Sequence, residues 1–158
     1  MKKFAATLSL ILALLLSLCA CQGTPDEATK ENPEATVQET NEAAEAAGLW
    51  ADAVYTEDTT LGEGERTVTV KFTIEEKSIT FTILTDKSIL GDALIENSLI
   101  EGEQGAYGLY IKKVNGITAD YDTDGAYWGF FIDGEYAATG VDSTTITDGA
   151  IYELSYTK

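Results

Sequence analysis

From Arg66 to Ile74 apolar and polar positions alternate without a break. Val68, Val70, Phe72 and Ile74 interleave with Thr67, Thr69, Lys71 and Thr73, the period of a half-buried strand. Glu75 to Ser78 is polar and reads as a turn, after which Ile79, Phe81 and Ile83 resume the alternation. The pattern predicts an antiparallel hairpin. Ile89, Leu90, Ala93, Leu94 and Asn97 then fall at helical spacing behind Ser88, which reads as the N-cap. Asp92 suits the positive end of that helix, and Gly91 reads as a point of close packing on a sheet.

Glu101 to Gly105 reads as a glycine-containing loop leading into a strand over Tyr107–Val114, and Asn115-Gly116 is a turn dipeptide. A second hairpin is predicted from Tyr127–Ile132, a turn at Asp133-Gly134 and a returning strand over Glu135–Thr139. Asp-Gly suits a type I′ turn, which needs positive φ twice. Asp148-Gly149 turns the chain into a closing strand, Ile151–Tyr156. One short helix, two or more hairpins and one sheet to cover make an α+β domain of β-grasp-like form.

The N-terminal pattern is different. Met1-Lys2-Lys3 precedes an uncharged apolar run, Phe4–Leu18, long enough for an export signal and short for a membrane span. It ends in Leu18-Cys19-Ala20-Cys21, the lipobox pattern of aliphatic, small residue, cysteine. Residues 1–20 read as a lipoprotein signal, with Cys19 discarded and Cys21 as the lipidated residue; two acyl chains there give stable anchoring. Residues 22–48 hold seven acids, one Lys, six Ala, both prolines of the chain and no aromatic. With so little to bury, residues 21–48 read as a lipid anchor and disordered acidic tether. They contain at most a helical turn over Glu42–Ala47 and reach on the order of 30 Å from the lipid. Residues 49–158 form the single domain, with every Tyr and Trp. The expected location is the bacterial cell surface.

Charge and residue types close most routes to chemistry. Ten Lys and Arg stand against 27 Asp and Glu, a net charge of −17. So acidic a surface repels phosphate backbones, so no nucleic-acid partner is expected. The chain has no His, which excludes histidine-based triads and His-ligated zinc. Asp133 and Glu135 flank a hairpin tip, where exposure leaves a carboxylate pair unsuited to acid–base work. Asp142 to Thr145 reads as a polar loop. No nucleophile elbow or phosphate loop is present, so an enzyme is not expected and no cofactor is required.

Two stretches invite a ligand. Eight aromatics fall between Tyr107 and Tyr136, and such faces suit flat rings. Trp128, Phe130 and Ile132 share one face of their strand, Tyr127 and Phe131 the other, and one helix covers only one of them. The surplus face is available to a ligand or partner. Asp120, Asp122 and Asp124, followed by Gly125, match the first half of a calcium loop of the EF-hand type. Its twelfth position is Phe131 instead of Glu, so a solvated acidic turn competes with a weak calcium site.

Residues 78–158 resemble the transcobalamin-like C-terminal domain family. The resemblance is carried by Thr85–Leu94, Gly108–Ile117, Ala126–Gly134 and Gly140–Gly149. It implies a β-grasp-like fold and a relation to the smaller, cobalamin-contacting half of the vitamin B12 carriers. It places Trp128, Gly140 and Val141 beside a corrinoid, with Tyr127 and Phe130 as neighbouring contacts. Ala150 stands where the family usually has Asp, and the carriers' large helical domain has no counterpart here, so fold transfers better than function. The expectation is a lipid-anchored binding protein that captures cobalamin or a similar flat small molecule. The alternative is a non-catalytic module that docks another surface protein.

Overall fold

The computed structural model describes residues 43–158, so the export signal, Cys21 and the tether up to residue 42 lie outside the described residues. The chain begins there with a helix, α1, over 43–51. Strands β1 (Thr59–Gly62), β2 (Arg66–Ile74) and β3 (Lys77–Thr85) follow, then helix α2 (Leu90–Glu96). Next come β4 (Ile100–Gly105), β5 (Gly108–Val114), β6 (Ile117–Thr118) and a one-turn helix α3 (Tyr121–Asp124). The chain closes with β7 (Tyr127–Ile132), β8 (Glu135–Tyr136), a 3₁₀ turn (Val141–Ser143) and β9 (Ile151–Thr157).

The expected α+β class holds, with more strands than the periodicity shows. A six-stranded mixed sheet runs β1-β3-β2-β9-β7-β8, and β4-β5-β6 form a second sheet. The β2–β3 hairpin keeps the expected register, with Val70 opposite Phe81 and a turn tightened to Glu75-Glu76. Parallel pairing of β2 with β9, Phe72 opposite Leu154, places the C-terminal strand beside it. On one face, Val68, Val70, Phe72, Ile74, Ile79, Phe81, Ile83, Tyr152 and Leu154 are buried. Leu90, Ala93 and Leu94 of α2 join them, with Ile111, Val114 and Ile117 of the second sheet.

Three expectations are corrected. The domain does not begin at Leu49, because α1 runs through that boundary and buries Ala46 and Trp50. Those two residues are one turn apart on one helical face, and a run of alanines gives no hydrophobic contrast by which to see it. The segment 101–105 is a strand, not a loop; beyond Ile100 its side chains are exposed, so no alternation marks it. Ser88 is not the helix cap. Ile89 bridges Thr145, and Leu90 N–H donates to the Thr144 carbonyl at 2.9 Å, so backbone satisfies the helix entry.

The turns behave as their residues require. Asn115 and Gly116 have φ of 51° and 87°, and Asp133 and Gly134 have 51° and 84°, the double positive φ of a type I′ turn. The returning strand after Asp133-Gly134 is shorter than expected, ending at Tyr136. Gly91 packs against the 3₁₀ turn, not the sheet: a Cβ there would lie 3.0 Å from Asp142 Cα and 3.1 Å from the Val141 carbonyl oxygen.

Candidate binding surface

Strand β7 sorts its aromatics between two surroundings. Trp128 is 6% exposed and Phe130 7%. Trp128 lies 5.2 Å from Phe72 and 5.3 Å from Tyr156 between ring centres, and Phe130 stacks on Tyr152 at 6.4 Å. Val141 is also buried. These three residues therefore do not form the open platform the sequence leads one to expect. They are core, because α1, α2 and the second sheet all pack on the Trp128 face.

Tyr127 and Phe131 point the other way, as the alternation requires, and are half-buried. Phe131 leans over Gly129, where a Cβ would come within 3.1 Å of its ring. It meets Tyr136 edge to face at 5.1 Å between ring centres, and Tyr136 is 64% exposed. On the same sheet face, Glu153 stands opposite Phe131 and Ser155 opposite Gly129, with Thr157 opposite Tyr127. Thr73 Oγ1 donates to Glu153 Oε1 at 2.7 Å, and Lys71 lies 3.7 Å from the same oxygen. The result is an aromatic strip bordered by hydroxyls and one ion pair.

The Gly140-Val141 loop serves a different end of the domain. Asp142 Oδ2 accepts from Leu109 N–H at 3.0 Å and from Gln104 Nε2 at 3.5 Å. Its Oδ1 is buried with no hydrogen-bond partner among the described residues. A Cβ on Gly140 would stand 2.7 Å from that oxygen and one on Gly108 3.0 Å, so both glycines make room for the carboxylate. Asp142 thus pins the β4–β5 hairpin to the 3₁₀ turn, leaving Tyr107 fully exposed at the hairpin tip. A reading of 142–145 as polar loop misses this role, since nothing local distinguishes an inward aspartate.

Asp120, Asp122 and Asp124 do not converge on an ion. Asp120 Oδ1 accepts from Asp122 N–H at 3.1 Å, capping α3, and its Oδ2 pairs with Lys112 at 3.1 Å. Asp124 Oδ1 accepts from the N–H groups of Asp120 and Ala126, both at 3.1 Å. Among the described residues no group of three acidic, histidine or cysteine side chains could hold a metal ion. The Lys112 ammonium, with the backbone N–H of Asp122, holds the Asp120 carboxyl below the usual carboxylate range. Hydrogen bonding to Asp120 raises Lys112 in turn. Asp133 is structural as well, its Oδ1 accepting from Ile151 N–H at 2.9 Å.

A second recess lies along α1. Trp50 meets Phe72 edge to face at 5.2 Å, and Lys77 Nζ sits 4.1 Å above the Trp50 ring. Lys158 Nζ pairs with Glu45 of the helix. A hollow of about 810 Å³ opens on one side, against Ala43, Ala46, Ala47, Trp50, Ile74 and Lys77. One of about 250 Å³ opens among Leu49, Ile74, Tyr156 and Lys158. Burial raises the Tyr156 phenol above its usual value; Asp124 and Glu45 add to this and Lys158 opposes it.

Comparison with known proteins agrees with this architecture. No curated protein matches the chain at a significant level. Residues 87–158 match the family model described as a domain of unknown function, DUF4430. Among solved structures, haptocorrin in complex with Cbi is 20% identical over 62% of this chain and 27% of its own, with a TM-score of 0.43. A Ruminococcus gnavus ATCC 29149 protein, named as a candidate metal-binding protein, is 34% identical with a TM-score of 0.56. The match covers 60% of this chain and 98% of that one. The chain belongs to the same family as the Ruminococcus gnavus protein.

Proposed function

We propose that the chain is a bacterial cell-surface protein, anchored through a lipidated Cys21, whose domain captures a flat small molecule of the corrinoid class without altering it. The observation that carries this reading is the strip of Tyr127, Phe131 and Tyr136 on the face opposite α1 and α2. Phe131 lying over Gly129 and flanked edge-on by Tyr136 is a ready stacking surface. Ser155 and Thr157 beside it supply the few polar groups that orient a ligand. The resemblance of residues 78–158 to the transcobalamin-like domains supports the ligand class. The name of the Ruminococcus gnavus relative offers a metal ion instead. The Asp120 and Asp124 carboxylates, however, already accept backbone N–H groups.

A second reading, a non-catalytic module docking another surface protein, is favoured by Tyr107, fully exposed at the tip of a pinned hairpin. Equilibrium dialysis of the full chain against cyanocobalamin, with and without calcium, separates the two. Saturable binding lost in Phe131→Ala supports capture at the aromatic strip. No binding into the high micromolar range overturns it and leaves the docking module. Binding only with calcium makes the carboxylate turn part of the site.

A further inference from the structure

We propose that the outer face of the six-stranded sheet, across β1, β3 and β2, binds an uncharged polysaccharide of extended, equatorially linked sugars. Strand register builds the site. Thr60 stands opposite Thr82, Thr82 opposite Thr69, and Thr69 opposite Ile151. Together they make one continuous row over β1, β3, β2 and β9, about 14 Å long at an interstrand spacing of ~4.8 Å. Thr67 and Thr80 flank the row on either side, because Val68, Val70, Ile79 and Phe81 turn inward. The side-chain hydroxyls of Thr60, Thr67, Thr69, Thr80 and Thr82 make no hydrogen bond among the described residues, unlike that of Thr73, which is held by Glu153. Thr69, Thr80 and Thr82 are half-buried, and their branched Cβ atoms restrict χ1, so the hydroxyls are set in place before a ligand arrives.

Strand propensity alone puts threonine on such a face. It does not account for the lack of charge. The surface of a soluble domain ordinarily carries about 25–35% charged residues, and this chain has a net charge of −17. Among the strand residues of this face only Lys71 and Glu153 are charged, and they lie 3.7 Å apart as a pair. The exposed strand β4, by contrast, carries Glu101 and Glu103. A neutral face on an acidic protein matches a neutral ligand, while the surrounding field repels acidic glycans.

The chemistry of the row matches a sugar chain as well. A threonine hydroxyl both donates and accepts, and its methyl group is apolar. An equatorially substituted sugar ring presents C–H groups on its faces and hydroxyls around its edge. Ile151, 50% exposed at the end of the row, adds an apolar contact for a ring face. The row ends at β9, and the Phe131 strip begins beyond it on β7 and β8, so the two sites are separate and neither needs the other.

The test is calorimetric titration of the whole chain with cellohexaose, beside a hexamer of galacturonic acid. Saturable binding of cellohexaose at or below about 1 mM is expected, and none of the acid. Thr69→Val combined with Thr82→Val keeps the shape and strand propensity of both positions and removes both hydroxyls. It should weaken binding about tenfold or more. Thr69→Ser combined with Thr82→Ser, which keeps the hydroxyls, should bind within about threefold of the unsubstituted chain. Phe131→Ala should leave cellohexaose binding unchanged. No saturation up to about 10 mM overturns the proposal. So does equal binding of the acid, an unchanged affinity with Thr69→Val and Thr82→Val, or an equal loss with Thr69→Ser and Thr82→Ser. Failure of cyanocobalamin to bind bears only on the aromatic strip.

Discussion

Asn115 and Tyr55 exchange two hydrogen bonds across 60 positions of sequence: Tyr55 N–H donates to Oδ1 at 2.9 Å, and Nδ2 donates to the Tyr55 carbonyl at 2.8 Å. The Asn115 carbonyl also accepts from Val54 N–H at 2.9 Å, and its N–H donates to the Leu99 carbonyl at 2.8 Å. The side chain copies a peptide group, presenting donor and acceptor together, which neither Ala nor Asp does. Asn115 is 1% exposed, so no water replaces what is lost. Asn115→Ala is expected to lower unfolding stability by about 2–4 kcal/mol in urea titration. Asn115→Gly, which keeps the left-handed backbone of the turn, should lose nearly as much. A loss in Asn115→Ala with none in Asn115→Gly would assign the effect to the turn and not the clamp.

Gly91 sits inside α2, where alanine is ordinarily better by about 1 kcal/mol. Here a methyl would press on the backbone of Asp142 and the Val141 carbonyl, atoms that do not yield as a side chain tip does. Gly91→Ala is therefore expected to destabilise, by roughly 1–3 kcal/mol. The midpoint of thermal unfolding measures it. A raised midpoint would mean that the 3₁₀ turn shifts freely, contrary to its bond between Leu90 N–H and the Thr144 carbonyl.

What the sequence reveals and what it hides follow from the same physics. The β2–β3 hairpin and β7 are legible because one face of each is buried, and burial writes itself as alternation. Strands β4 and β1 are not: β4 is exposed beyond Ile100 and needs no apolar side chains, and β1 is four residues long with a single large apolar side chain, Leu61. The split of Trp128 and Phe130 from Tyr127 and Phe131 is visible as parity. Which face is covered depends on α1, whose alanines look like tether. The inward turn of Asp142 depends on Gly108, 34 positions earlier in the sequence. No local pattern contains such a pairing.

The two faces of β7 should separate stability from binding. Trp128 packs on Phe72 and Tyr156 in the core, so Trp128→Ala is expected to cost about 3–5 kcal/mol of unfolding stability. Phe131→Ala removes a half-exposed ring over Gly129 and should cost about 1 kcal/mol or less. Its effect should appear instead in cyanocobalamin dialysis. Urea unfolding of both variants beside dialysis of both decides the matter. A Phe131→Ala chain as unstable as Trp128→Ala would move Phe131 from the ligand strip to the core.

The Lys112–Asp120 pair gives the domain a defined pH dependence. Asp120 is lowered from 3.8 by its hydrogen bond to Lys112 and by Asp122 N–H, and Lys112 is raised from 10.5 chiefly by Asp120. A lowered acid stabilises the fold above its unfolded pKa, and that contribution is lost as pH falls through the folded value. A raised base does the reverse, stabilising below its unfolded pKa and losing this as pH rises through the folded value. Asp120→Asn retains a side-chain oxygen for the α3 cap and removes the charge alone. The melting temperature of the unsubstituted chain should therefore exceed that of Asp120→Asn by a constant amount from about pH 5 to 9. The gap should close below the carboxylate range and again above that of lysine. A gap that persists unchanged at pH 2 would show that the difference between the two chains does not come from the Asp120 charge and its pairing with Lys112.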